Sequence, residues 1–502
     1  MTRGSARLRS NLSANILGTG ISSLVALATA PLVFRWFGAD AYGLVGVYLL
    51  LQGLMPLFDL GITPGLARAV SWHRGAGSEG QVVTLVRLAE RPMLLFASAF
   101  GLGILALSGV IERRWLVSVR LPASSVRVAI ILMGVALALR MLSGLQKSAL
   151  MAIEHQMRAN LVQSFAVLAR TLGALVFAVA TGTGILGFFV VQVPVSILEW
   201  CAYRRLLFGA LPRVAQPVGS DELRMHARFA LGVAGLAVLW LLTSQVDKLT
   251  LSRILPLAEF GAYALGVHIA SAVIIATGPV QAAVLPRLTR LIAAGDETQA
   301  RLLYGMATAL TVALAASLTV GISVAAPLVI AVMRPAETLY VNPMHIASAY
   351  ALGNCAIAIV ALSYQLQNAR GRLRLHAAGT IVQAVVQIPI LIWVASTLGA
   401  FATALAFAGL NWLFVLVWTP IVHARFLDGG ALPWLSRDLL PPLLLAVAAG
   451  SVVLYLMSLG NHSIAFSCAG ALVGMAFTMA ATLFAHADLR LYLRRWWRPD
   501  GG

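Results

Sequence analysis

"MPLFDLGITPGLARAV", residues 55–70, decides how the rest of the chain is read. It lies inside an apolar run from about Gly43 to Trp72, long enough to cross a bilayer, yet it carries a carboxylate, Asp59. Placing an ion at that depth costs about 2.5–3.5 kcal/mol on insertion scales, so something in the fold must offset it. Gly61, Pro64 and Gly65 follow directly. Proline removes a helix hydrogen bond, so a bend is expected here, serving either packing or gating.

Apolar runs of this kind recur along nearly the whole length. The chain has 502 residues, 60% hydrophobic and 11% charged, whereas a soluble domain carries about 25% charged residues. In lipid such runs must be helical, because every backbone group needs an internal partner. The composition therefore predicts an all-α polytopic membrane protein. We read fourteen spans, centred near residues 25, 57, 101, 135, 170, 195, 240, 273, 318, 354, 386, 410, 449 and 474. The N-terminus imitates a signal peptide, with Arg3, Arg7 and Arg9 ahead of an apolar run and "ATA" at 28–30. Pro31 follows at once and the run continues to Phe37, so a retained first helix is expected.

The net charge of +18 does not point to nucleic acid, because the arginines sit in short loops between spans. With the N-terminus in the cytoplasm, 26 of the 36 basic residues fall on the cytoplasmic side, as the positive-inside rule expects. About eight lie on the other side, four of them in one loop: Arg113, Arg114, Arg120 and Arg127. The rule leaves that loop unexplained. Cys201, Cys355 and Cys468 lack paired or ligand spacing, so neither disulfides, metal nor any cofactor is expected.

The chain repeats. "FGADAYGLVG" at 37–46 follows the first span and "LPLAEFGAYA" at 255–264 follows the seventh. Tyr42-Gly43 matches Phe260-Gly261 at a separation of 218, and Arg68 matches Arg287 at 219. Six spans per unit is an even number, so the units are parallel, related by an axis along the membrane normal. The expected organisation is a six-helix lobe over 1–210, a second over 211–426, and two further helices with a basic tail over 427–502.

Three stretches together carry a resemblance: "NLSANILGTGISSLVALATAPLVFRWFGADAYGL" at 11–44, "LFDLGITPGLARAV" at 57–70, and "SQVDKLTLSRILPLAEFGAYALG" at 244–266. They resemble the Wzx-type polysaccharide flippases of the multidrug/oligosaccharidyl-lipid/polysaccharide exporter superfamily. The resemblance implies two lobes in a V around a central cavity and alternating access. It implies a bacterial inner-membrane protein that moves an undecaprenyl-diphosphate-linked oligosaccharide from the inner to the outer leaflet. It also implies partners in the same work, a polysaccharide polymerase and glycosyltransferases. A cation-coupled drug exporter of the same superfamily is an alternative, although it calls for carboxylates where this chain offers arginines. A membrane polymerase or ligase is another, although such enzymes carry a large outer loop, and no nucleophile–base pair is visible.

Few charges lie at membrane depth: Asp59, Arg140, Arg170, Glu199 and, near an outer end, Asp247 with Lys248. Counting about 1.5 Å per residue from the span ends puts Asp59, Arg140 and Glu199 at one level. They form either an ion-pair network that fastens helices or a diphosphate site, since guanidinium grips phosphate bidentately. We expect Asp59 to face Arg140. Asp247 is the ion-coupling candidate, with Lys248 as its salt partner in the alternative reading. Gln383 and Gln387 are spaced i, i+4 and share a face. With Asn354, Gln365, Gln192 and Asn411 they read as helix–helix glue or as contacts to sugar hydroxyls. Trp240, Trp393 and Trp412 read as lipid-facing side chains or sugar-stacking platforms.

Overall fold

The computed structural model describes residue 20 and residues 22–116, 120–334, 339–427, 429–460 and 463–486. The basic N-terminal residues Arg3, Arg7 and Arg9, and the tail arginines from Arg490 onward, lie outside the described residues. Among the described residues the structure is helical throughout, and twelve helices are long and apolar enough to cross a membrane. A shorter apolar helix at Ser22–Phe37 and a 35-residue helix at Ser220–Ile254 stand beside them. Each of the fourteen centres read from the sequence falls within a helix.

Packing divides the chain into two compact units, Met1–Gly261 and Ala262–Gly502. The first holds α1 (Ser22–Phe37), α2 (Ala39–Asp59), α3 (Ile62–Gly75), α4 (Glu79–Arg114), α5 (Ala123–Ala152), α6 (Gln156–Ala180), α7 (Gly184–Ala210), α8 (Ser220–Ile254) and the first turn of α9 (Leu257–Ala270). Here α5 packs between α4 and α7, and α3 lies against both α4 and α5. Helix α8 packs against α2 and α3.

The opening stretch is two helices. Leu60 and Gly61 take left-handed backbone angles, φ 48° and 75°, and end α2 before α3 begins. Only glycine adopts that conformation without a Cβ penalty. A β-carbon on Gly61 would also sit 2.1 Å from the Ala230 carbonyl oxygen on α8, so the residue is fixed twice over. Pro64 falls in the first turn of α3, where a missing N–H breaks no helix bond. The break exposes the first N–H groups of α3, and Asp59 answers them. Its carboxylate accepts from the Thr63 N–H at 3.1 Å and from the Thr63 hydroxyl at 2.6 Å. A helix N-terminus also favours negative charge.

A second close approach joins the two glycines matched in the repeat. A β-carbon on Gly261 would lie 2.7 Å from the Gly43 nitrogen, and one on Gly43 would lie 2.2 Å from the Leu257 carbonyl oxygen. Small residues let helix backbones meet this closely in lipid. Gly43 is therefore buried within α2, and the connection expected around it is reduced to Gly38.

The second unit continues with α10 (Ala272–Ala293), α11 (Glu297–Val324), α12 (Ala326–Met333), α13 (Pro343–Ala369), α14 (Arg374–Thr397), α15 (Gly399–Phe426), α16 (Ala431–Leu459) and α17 (Ile464–Ala485). Helices α16 and α17 dock on α11, where Val320, Val324, Val453 and Ala471 form an apolar cluster. Polar groups fasten the other end of this contact. Asp438, in a π turn of α16, accepts from Arg301 at 3.3 Å and lies 3.1 Å from His486 Nε2. Trp434 donates to the Thr308 hydroxyl at 3.2 Å, and the Tyr304 hydroxyl hydrogen-bonds His423 at 2.8 Å.

Candidate functional site

The charges inside the first unit gather where α2, α5, α6 and α7 bring their polar positions together. Arg170 and Glu199 are 6% and 8% exposed, and the Arg170 guanidinium donates directly to the Glu199 carboxylate. Arg170 sits in a π turn, Ala169–Gly173, within α6. Such turns interrupt the i→i−4 ladder and recur at functional sites. The Arg170 carbonyl is taken up by Gln192 of α7, whose side-chain amide donates to it at 2.8 Å. The buried Tyr203 hydroxyl donates to the Ala159 carbonyl at 3.2 Å and closes the same α6–α7 seam.

Arg140 is half-buried on α5. Its guanidinium donates to the Gln52 side-chain oxygen at 2.6 Å and to the Tyr48 hydroxyl at 3.2 Å, both on α2. Lys147 lies on the same helix and donates to the Gln163 side-chain oxygen on α6. Lys147 lies within α5, five residues from the helix end. Arg140 and Lys147 are seven residues apart, two helical turns, so they share one face about 10 Å apart along the axis. Gly144 lies between them, and no neighbouring atom stands where its β-carbon would be. The Glu199 carboxylate is within electrostatic range of Arg140, Lys147 and, through its ion pair, Arg170. One carboxylate thus interacts with three cations, and it is bonded to Arg170 alone. Arg140 and Lys147 are held by neutral amides and a phenol.

This corrects the expected pair. Asp59 caps Thr63, and Arg140 meets Gln52, seven residues earlier on α2. The reason is the position of the helix start. With α2 beginning at Ala39, Asp59 lies twenty residues along it, about 10 Å beyond the level of Gln52.

The remaining candidates are placed elsewhere. Asp247 on α8 is 0% exposed and lies 3.2 Å from the Lys248 ammonium, which also donates to the Ser244 carbonyl at 2.6 Å. In the second unit Gln383 donates to Gln387 at 3.0 Å and to Asn411 at 3.1 Å, joining α14 to α15. Asn354 donates to the Ala270 carbonyl at 2.8 Å. The Gln383–Asn411 and Asn354–Ala270 hydrogen bonds each join two helices. Trp240 and Trp393 are exposed, and Trp412 donates to the Leu352 carbonyl.

Sequence reasoning missed Gln52, Tyr48 and Gln163 as partners, and Lys147 as an interior cation. The seven-residue spacing from Arg140 was the signal for Lys147. It also missed the Asp438, Arg301 and His486 cluster, whose members lie 137 and 48 residues from one another in sequence.

The helical architecture is that of an all-α, multi-pass membrane protein. Residues 8–292 match the family model described as polysaccharide biosynthesis protein, and the chain belongs to that family, the Wzx-type branch of the multidrug/oligosaccharidyl-lipid/polysaccharide exporter superfamily. It is a family of transporters and flippases, not of catalytic enzymes. The fold is similar to that of the lipid II flippase MurJ in an inward closed conformation, with a TM-score of 0.72 at 13% identity over 94% of this chain and 99% of that one. It is also similar to an inward-facing multidrug resistance MATE family transporter, with a TM-score of 0.70 at 13% identity over 81% and 94%. A MATE transporter in complex with MaL6 aligns with a TM-score of 0.63 at 13% identity over 85% and 99%. No curated protein matches the chain by sequence.

Proposed function

We propose that the protein translocates an undecaprenyl-diphosphate-linked oligosaccharide, a repeat unit of O-antigen, capsule or exopolysaccharide, from the inner to the outer leaflet of a bacterial inner membrane by alternating access. In this reading the chain has fourteen spans, both termini are cytoplasmic, and the lobes run over 1–210 and 211–426, followed by the pair in 427–502. Glycosyltransferases supply the substrate and a polymerase consumes it.

One observation carries the reading. Arg140 and Lys147 hold two positive charges on one interior face, against neutral partners and beside open space at Gly144. A diphosphate exchanges the Gln52 and Gln163 contacts for charge-assisted bonds, which are about twice as strong as neutral ones. The Arg170–Glu199 pair keeps the surrounding helices in register while this exchange occurs. A cationic drug finds no equivalent welcome here, because Glu199 is bonded to Arg170 and Asp59 to Thr63. Asp247 remains the proposed coupling residue.

Depletion of the protein in its own cell tests this. Lipid-linked oligosaccharide accumulates facing the cytoplasm if the reading holds. Unchanged surface glycan, with drug susceptibility altered instead, contradicts it.

A further inference from the structure

The four arginines that the positive-inside rule leaves unexplained lie where α4 ends and α5 begins. Residues 103–133 contain Arg113, Arg114, Arg120 and Arg127 but a single acidic residue, Glu112. We propose that this end of the first unit binds the phosphates of an anionic phospholipid, in the leaflet opposite the arginine-rich loops.

The geometry converges on one strip. The Arg113 side chain is 76% exposed, with Glu112 3.7 Å away. The Arg127 guanidinium carbon lies 3.6 Å from where a β-carbon on Gly109 would sit. Gly109 and Arg113 are four residues apart on α4 and stack on one face, so Arg127 and Arg113 present their charges side by side. Arg114 and Arg120 are exposed at the same end. Trp115 donates to the Ser252 hydroxyl at 3.0 Å, which ties this end of α4 to α8, where Arg253 is exposed as well. Glu112, the one carboxylate beside Arg113, does not neutralise Arg113, Arg114 and Arg127 together, whereas a phosphate met by two guanidinia is bonded bidentately at each.

The surface beneath the charges fits acyl chains. Leu102, Leu105 and Val110 of α4 and Val128 of α5 are exposed, directly below the arginines. Trp115 lies at the same end of α4, and indole rings are enriched at membrane–water interfaces. Arg127 and Arg140 are thirteen residues apart on α5, which turns them roughly 140° from each other around the helix. The strip therefore faces away from the interior cations, which favours a surrounding phospholipid over the transported lipid. The inference stands apart from the transport reading and survives its failure.

Native mass spectrometry of the purified full-length protein tests it, with diphosphatidylglycerol, phosphatidylethanolamine and undecaprenyl diphosphate titrated separately. The probe variants are R113Q/R127Q and R113Q/R114Q/R120Q/R127Q, all at exposed positions. A control, R213Q/R224Q, removes exposed arginines elsewhere. Wild type and control should retain diphosphatidylglycerol, the double variant should bind it about thirtyfold more weakly, and the quadruple variant more weakly still, as the loss of per-arginine attraction to anionic lipid implies. Phosphatidylethanolamine should bind weakly to all of them. Equal retention of diphosphatidylglycerol by every variant overturns the proposal. So does arginine-dependent retention of undecaprenyl diphosphate alone.

Discussion

Arg140 donates to the Gln52 side-chain oxygen at 2.6 Å, a charged donor on a neutral acceptor inside a membrane-spanning unit. That pairing makes the guanidinium exchangeable, because a neutral amide releases it at lower cost than a carboxylate does. The Arg170–Glu199 contact is of the other kind, two buried ions that stabilise each other.

The two kinds predict different mutational behaviour. Arg140→Gln and Lys147→Gln should leave folded protein close to wild type, since the partners left behind are neutral. Each should lower glycan export by about tenfold or more, the worth of a hydrogen bond to a charged group at 1.5–3 kcal/mol. Arg140→Lys should recover part of the activity, because a point charge replaces a bidentate fork. Surface glycan per unit of folded protein is the measurement.

Glu199→Gln should behave in the opposite way. It leaves Arg170 buried without its carboxylate, at a cost of about 3–5 kcal/mol in stability. Arg170→Gln should cost a similar amount. The double variant should regain most of the loss, which thermal melting in detergent resolves as a coupling energy. Additive losses would remove the pair from the account.

Asp59 answers to Thr63, so its losses should be those of a helix cap. Asp59→Ala should destabilise by about 0.5–2 kcal/mol, and Asp59→Asn, which keeps an acceptor, by less. Combined with Arg140→Gln, either change should be additive, because the two side chains have separate partners. A coupling above about 0.5 kcal/mol would restore the direct pair. Gly61→Ala should be costlier than the cap, since both the backbone angle and the Ala230 approach forbid a β-carbon.

Much of the architecture is legible in the sequence because length and apolarity dictate spans, and because backbone groups in lipid leave no alternative to helix. The break at Leu60–Gly61 is foreshadowed by glycine and proline, yet its consequence for Asp59 is not. A carboxylate in an apolar run reads as an ion seeking a cation, whereas the break supplies backbone N–H donors that satisfy it. Depth estimates failed for the same reason. They placed the start of the second span near Gly43, but Gly43 is a crossing point within α2, and a shift of a few residues moves a side chain by a full turn. Arg170 and Glu199 were legible as members of a set of buried charges of both signs, but not as a pair. Gln52, Tyr48 and Gln163 were not, because polar neutral residues in spans carry no sign to match.

Helices α16 and α17 should be anchored to α11 by Asp438. Asp438→Asn weakens the contacts to Arg301 and His486, and should cost about 1–3 kcal/mol. The loss should appear first as protease cleavage near Gly429 and Gly430, before the rest of the second unit unfolds. Cleavage no faster than in wild type would show that the apolar cluster around Val320 and Val453 holds the pair by itself.

The central claim is that Arg140 and Lys147 together receive a diphosphate inside the first unit. Its most direct measurement is the rate at which undecaprenyl-diphosphate-linked oligosaccharide crosses vesicles containing purified protein, read by the access of an external glycan-cleaving enzyme. Arg140→Gln/Lys147→Gln should fold, insert and abolish crossing, while a free diphosphate added inside and outside should inhibit the wild type but not change the variant's residual rate. Wild-type crossing by the folded double variant would contradict the account.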